Sequence, residues 1–83
     1  MTQLIEKYEN ISTRVNRMTN FVVKRDLTKF LNNIESHFDE ISKESVVCRQ
    51  LNRHTSRFVN LHKDVEELIY RVEKYITIAS LID

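Results

Sequence analysis

His37, His54, His62, Cys48 and an arginine stripe are the side chains through which this chain could do chemistry. Metal binding needs several donors converging within a few ångströms. His54 and His62 are eight residues apart, so on a helix they share one stripe but sit two turns apart, too far to hold one ion. His62 and Glu66 form an i, i+4 pair, the spacing of a surface hydrogen bond. Cys48 is the single cysteine, which excludes an intramolecular disulfide or a zinc site built from two or four cysteines of one chain. The expectation is a lone buried thiol. Nucleophilic catalysis finds no better material. Ser36, Ser42, Ser45, Ser56 and Ser80 have no neighbouring base, and the chain has no glycine to form a nucleophile elbow, a P-loop or a dinucleotide fingerprint. No catalytic residue, metal or cofactor is therefore expected, and the chain reads as a non-enzyme.

Arg49, Arg53 and Arg57 recur at i, i+4 and i+8, with His54 nearby and Lys24-Arg25 as a second basic cluster. A phosphate backbone is bound by such a stripe, which makes Arg49, Arg53 and Arg57 candidate phosphate contacts of a nucleic-acid-binding regulator. Against this stands a net charge of only +1. The simpler expectation is that the stripe faces Glu35, Asp39 and Glu40 across a helical hairpin, so nucleic acid is the weaker reading.

The elements that must position these residues are helices. Glycine and proline are both absent, which removes the usual material of tight turns and bulges and favours few, long helices. In the last third, Leu51, Phe58, Leu61, Val65, Leu68, Val72, Tyr75, Ala79 and Ile82 form a seam whose steps alternate 3 and 4 from Phe58 onward, widened by Ile69 and Ile76. The first segment carries its own seam in Leu4, Tyr8, Ile11, Val15, Met18 and Val22. That spacing predicts a helix from about residue 3 to 23, with Thr2 able to cap it. A middle seam runs through Leu27, Leu31, Ile34, Phe38 and Ile41, with Phe30 alongside. Between Val22 and Leu27 the step is five, so the helix either breaks near Asp26, a candidate N-cap, or continues with its buried face rotated. A second slip separates Ile41 from Leu51. Ser42-Lys43-Glu44-Ser45 lies in it, and Ser42 or Ser45 is the expected N-cap after a turn near residues 42–46.

Charge blocks favour that turn. Residues 1–25 carry a net +3, residues 26–45 a net −3, residues 46–63 a net +4 and residues 64–83 a net −3. Folding the chain back near residue 43 sets each basic block beside an acidic one. The leading expectation is an all-α single domain over residues 1–83: an antiparallel, coiled-coil-like hairpin with arms of about 40 and 37 residues. A three-helix bundle, its third helix overhanging the other two, is the alternative.

Two arms cannot bury faces this broad. Val59, Ile69, Ile76 and Ile78 fall outside one strip of the last arm, and Ile5, Phe21, Val23 and Phe30 outside that of the first. Exposed apolar surface of this extent marks a binding face. The expected protein interface comprises Phe58, Leu61, Val65, Leu68, Ile69, Val72, Tyr75, Ile76 and Ala79 with Tyr8, Ile11, Val15, Met18 and Val22. It would serve a homodimer completing a four-helix bundle, or docking on another helical protein. The function read from this is a small adaptor, assembly or regulatory subunit. No basic start followed by a long apolar run opens the chain, and no run reaches the roughly 20 apolar residues of a membrane span, so a soluble cytoplasmic protein is expected.

The opening Met1-Thr2-Gln3-Leu4 resembles, over those four residues, the short polar start of small helical-hairpin co-chaperones of type III secretion needle subunits. Small viral or phage proteins and kinetochore or tethering-complex subunits share the same general build. The resemblance implies a co-chaperone of a secretion or viral assembly system as a further functional alternative.

Overall fold

The computed structural model describes residues 2–82, with the backbone alone for Thr2, Ser80 and Ile82. Three helices follow one another: α1 (Thr2–Asn16), α2 (Phe21–Leu51) and α3 (Ser56–Ile82). No strand occurs among the described residues. The molecule is a rod of 49 × 17 × 16 Å.

The chain turns at different places from those its seams suggest. Residues 42–46, the expected turn, lie inside the continuous α2. Ser42 and Ser45 are helix residues there and not N-caps. The seam through Ile41 does continue past the slip, carried by half-buried Ser45 and then by Cys48, which is buried. A small thiol fills a core position where a larger apolar residue would ordinarily mark the helix as continuing. Leu51, read as the start of the last seam, instead ends α2 half-exposed.

The true turn is residues 52–55. Asn52 adopts the left-handed conformation (φ 54°, ψ 40°). Its amide donates to the carbonyl of Arg49 (3.3 Å) and that of Arg53 to the carbonyl of Cys48 (3.1 Å), closing a Schellman-type end. Asparagine is the residue best able to take glycine's role in a chain without glycine. Thr55 then caps α3: its Oγ1 accepts from the amide of Phe58 (3.1 Å) and donates to Glu44 (2.7 Å).

The first break also moves. α1 stops at Asn16 rather than near residue 23, and the step of five is explained by Val22, which is outside the seam and well exposed. Asn20, not Asp26, is the N-cap of α2; its Oδ1 accepts from the amide of Val23 (3.2 Å). Asp26 lies one turn inside the helix, near Arg25 (4.0 Å). Lys24 Nζ reaches back to the carbonyl of Asn16 (3.2 Å), supplying a donor and a positive charge at the end of α1. The side chain of Thr2, the expected cap of α1, lies outside the described residues.

α1 runs antiparallel to α2. Tyr8 meets Glu35 and Phe38, whereas Asn16 meets Lys24. All three helices share one core of Leu4, Ile11, Val15, Leu27, Leu31, Ile34, Ile41, Val65, Ile69, Val72 and Ile76. The two long helices are α2 and α3, with 31 and 27 residues, against 15 in α1. At 1.5 Å per residue, α1 covers about 22 Å of a hairpin about 45 Å long. It is thus the first helix that falls short, and no third helix overhangs.

Candidate protein-interaction surface

Much of the apolar surface expected to meet a partner is turned inward. Ile11, Val15, Val65, Ile69, Val72, Ile76 and Ala79 are buried within the chain by its own helices. Tyr8, Met18, Phe58, Leu61 and Leu68 are half-buried at the border of the core. Tyr75 and Val22 stand exposed. The short α1 therefore uses a large part of the surplus that two arms alone would have left open.

Phe21 and Val22 at the start of α2 and Ile78 and Leu81 near the end of α3 are exposed singly, and two further places combine open apolar surface with a hollow. On one side of the α2–α3 hairpin, Phe30 and Tyr75 line shallow hollows together with Asp26, Lys29, Asn33 and Arg71. Both rings are about two-fifths exposed, far more than their helix neighbours Leu27 and Val72. The second place is the hairpin tip. Tyr8 of α1 packs edge-on against Phe38 (ring centroids 5.6 Å apart), and Leu4 borders a hollow with Ile69, Tyr70 and Glu66. α1 begins at Thr2, less than one turn beyond Leu4. Ser45 and Asn52 follow Phe38 at heptad intervals, and both line an open hollow with Cys48, Arg49, Arg53, His54 and Phe58. Among the described residues, the furrow that α1 fills lower down thus opens into this hollow toward the tip.

The electrostatics of the tip differ from those of the body. Arg57 behaves as the charge blocks suggest: it pairs across the hairpin with Glu40 (2.6 Å) and approaches Glu44 (3.7 Å). Arg49 and Arg53 do not share this arrangement; among the described residues neither has a carboxylate within 4.0 Å. Of the other expected partners, Glu35 instead accepts the hydroxyl of Tyr8. Burial of that hydroxyl, together with the hydrogen bond and negative charge of Glu35, raises the Tyr8 pKa well above the ordinary phenol value.

The histidines are placed singly. His37 Nδ1 lies 2.9 Å from the carbonyl of Asn33, and His62 Nδ1 is 3.5 Å from Glu66, the surface pair its spacing suggests. His54 belongs to the turn, not to a helical seam. With Phe58 and His62 it makes a ladder of rings, 5.1 and 6.1 Å between successive centroids. Among the described residues no three His, Cys, Asp or Glu side chains are grouped so as to hold a metal ion. Cys48 is buried, and its sulfur receives the amide of Thr55 (3.5 Å). The thiol thus helps to fasten the turn, a role its neighbours in sequence do not announce.

No helix among the described residues is long and apolar enough to cross a membrane. No family model, curated protein or solved structure matches this chain.

Proposed function

We propose that this chain is a non-enzymatic protein–protein interaction module, a small helical adaptor or assembly subunit that binds through the helical surface its own α1 leaves open. The observation that carries the reading is the half-length cover. α2 and α3 extend past α1, and Val46 and Val59 stay between about two-fifths and one-half exposed on the extension. Phe30 and Tyr75 add apolar surface on the other side of the hairpin. Exposed aliphatic and aromatic side chains concentrated along helices suit a partner that is itself helical, whether a second copy completing a four-helix bundle or another protein.

Light scattering across a concentration series, with helicity followed alongside, tests this. The wild-type chain is compared with a variant carrying serine at Phe30, Val46, Val59 and Tyr75. The expected result is limited solubility or weak, open-ended association of the wild type at high concentration, and an equally helical, more soluble variant. Loss of helicity in the variant would show that these side chains build the fold and do not serve a partner. A wild type as freely soluble as the variant at high concentration would remove the reason for a binding surface.

A further inference from the structure

We infer that the occupant of the empty furrow at the hairpin tip is an acidic amphipathic helix of another protein, docked as a continuation of α1. The inference rests on the interaction-module reading and names the partner's chemistry.

Shape comes first. The furrow continues the groove that already accepts a helix: Phe38 of α2 meets α1, and Ser45, seven residues further along α2, lines the open hollow. Ser45 is small, so a helix can approach closely there. On α3, His62 and Phe58 lie two and three turns nearer the tip than Ile69, which borders Leu4 of α1. Phe58 is half-buried against the core, and its remaining surface faces the hollow between two imidazoles. Val46 and Val59, each next in sequence to a residue lining the hollow, are exposed. From Ser45 to the end of α2 at Leu51 is seven residues, room for a contact stripe of about two helical turns.

Charge selects among occupants. Residues 46–63 hold Arg49, Arg53, Arg57 and Lys63 and no acid, a net +4 on a chain of net +1. Arg49 and Arg53 both line the hollow and lack carboxylate partners, so carboxylates on the flanks of an incoming helix would meet two waiting guanidinium groups. A second copy fits less well. The chain's own acidic stretches, residues 26–45 and 64–83, carry Lys29, Lys43, Arg71 and Lys74 among their acids. Several of those acids are already engaged: Glu35 by Tyr8, Glu66 by His62 and Glu67 by Arg71. A phosphate backbone would satisfy the arginines but leave Phe58, Val46 and Val59 without a use.

The probe is a lactam-bridged synthetic helix of about 15 residues, long enough for four turns, with leucines along one stripe and glutamates on both flanks. Three comparison ligands go with it: the same helix with lysines for glutamates, an unstructured Glu/Ser peptide of equal charge, and a single-stranded oligodeoxynucleotide of similar length. Binding is read by fluorescence anisotropy and located by amide chemical shifts of the full chain. The expected result is saturable binding of the glutamate helix, with shifts centred on Ser45, Arg49, Phe58 and His62, and no binding of the lysine helix. Arg49→Gln with Arg53→Gln should weaken binding about fivefold with helicity unchanged, because both side chains are exposed. Phe58→Ala should weaken it about tenfold. Absence of binding, or equal binding of the lysine helix or the Glu/Ser peptide, would overturn the inference. Tighter binding of the oligonucleotide would replace it with a phosphate site. Saturable binding centred on Phe30 and Tyr75, or a stable homodimer with the tip buried, would overturn it while leaving the interaction-module reading intact.

Discussion

Proline at position 45 and proline at position 56 should have opposite fates. Ser45 sits in the interior of α2, six residues before its end. Proline there removes the amide that bonds back to the carbonyl of Ile41 and drives its ring against that carbonyl, at a cost of about 3 kcal/mol or more. A kink would also pull Glu44 and Cys48 away from Thr55, which both of them touch. Ser56 is the first residue of α3, directly after the capping Thr55. Its amide is one that a helix leaves without an internal partner, and proline's fixed φ suits that position. Ser56→Pro should be neutral or stabilise by about 0.4–1 kcal/mol through the unfolded chain. At about 0.05–0.15 kcal/mol per residue, a chain of this length has roughly 4–12 kcal/mol in total, so the Ser45 change removes a large share. Thermal midpoints should separate by more than about 12 °C, taking about 4 °C per kcal/mol as the lower slope for a small domain. Urea and thermal unfolding followed by far-UV circular dichroism measure both variants. The reverse ranking, with Ser45→Pro tolerated and Ser56→Pro costly, would return the turn to residues 42–46 and refute the placement of α2.

Three further outcomes follow from named contacts. Ile34→Ala empties a fully buried site at the centre of the three-helix core and should cost about 2–5 kcal/mol in urea unfolding. Thr55→Val removes the cap of α3 and the hydroxyl that donates to Glu44, and should cost about 1 kcal/mol, with Thr55→Ser restoring most of it. Tyr8 is held neutral in the folded chain, so its contribution to stability is complete below the unfolded phenol pKa and is lost as pH rises from there toward the raised folded value. In spectrophotometric titration the step that disappears in Tyr8→Phe should lie above the ordinary phenol range. A step at the ordinary value would show that the Glu35 contact does not persist in solution.

The helical class and much of the core could be read from spacing, because a 3-4 alternation of apolar residues has few other meanings. Leu27, Leu31, Ile34 and Ile41 on α2, and Val65, Val72 and Ala79 on α3, are seam residues that the structure buries. The turns could not be read in the same way. A chain without glycine or proline must turn on asparagine and threonine, and these residues also serve as ordinary polar faces of helices. Asn16 and Asn20 belong to the polar side of the first seam as it is spaced, yet the break falls between them. Asn52 and Thr55 had no competitor within their own four residues, but Ser42 and Ser45 offered the more familiar capping pattern at mid-chain. Cys48 completed the disguise, since a thiol at a seam position resembles the fading of a helix. The candidate surface was legible in part. The arginine stripe was visible, but only geometry separates Arg57, which is paired with Glu40, from Arg49 and Arg53, which are not. The open furrow depends on how far α2 and α3 run past the first turn of α1, which follows from the turn lying at residues 52–55 and not 42–46.

Native-state amide hydrogen exchange along α2 tests most directly whether α1 covers only part of the hairpin. Where three helices pack, from Leu27 to Ile41, amides should exchange only through near-global opening. From Val46 to Leu51, where only α3 lies alongside, they should open at distinctly lower free energy, with the step falling near Ile41. Uniform protection along the whole of α2 would contradict the half-covered hairpin, and with it the open surface on which the functional reading rests.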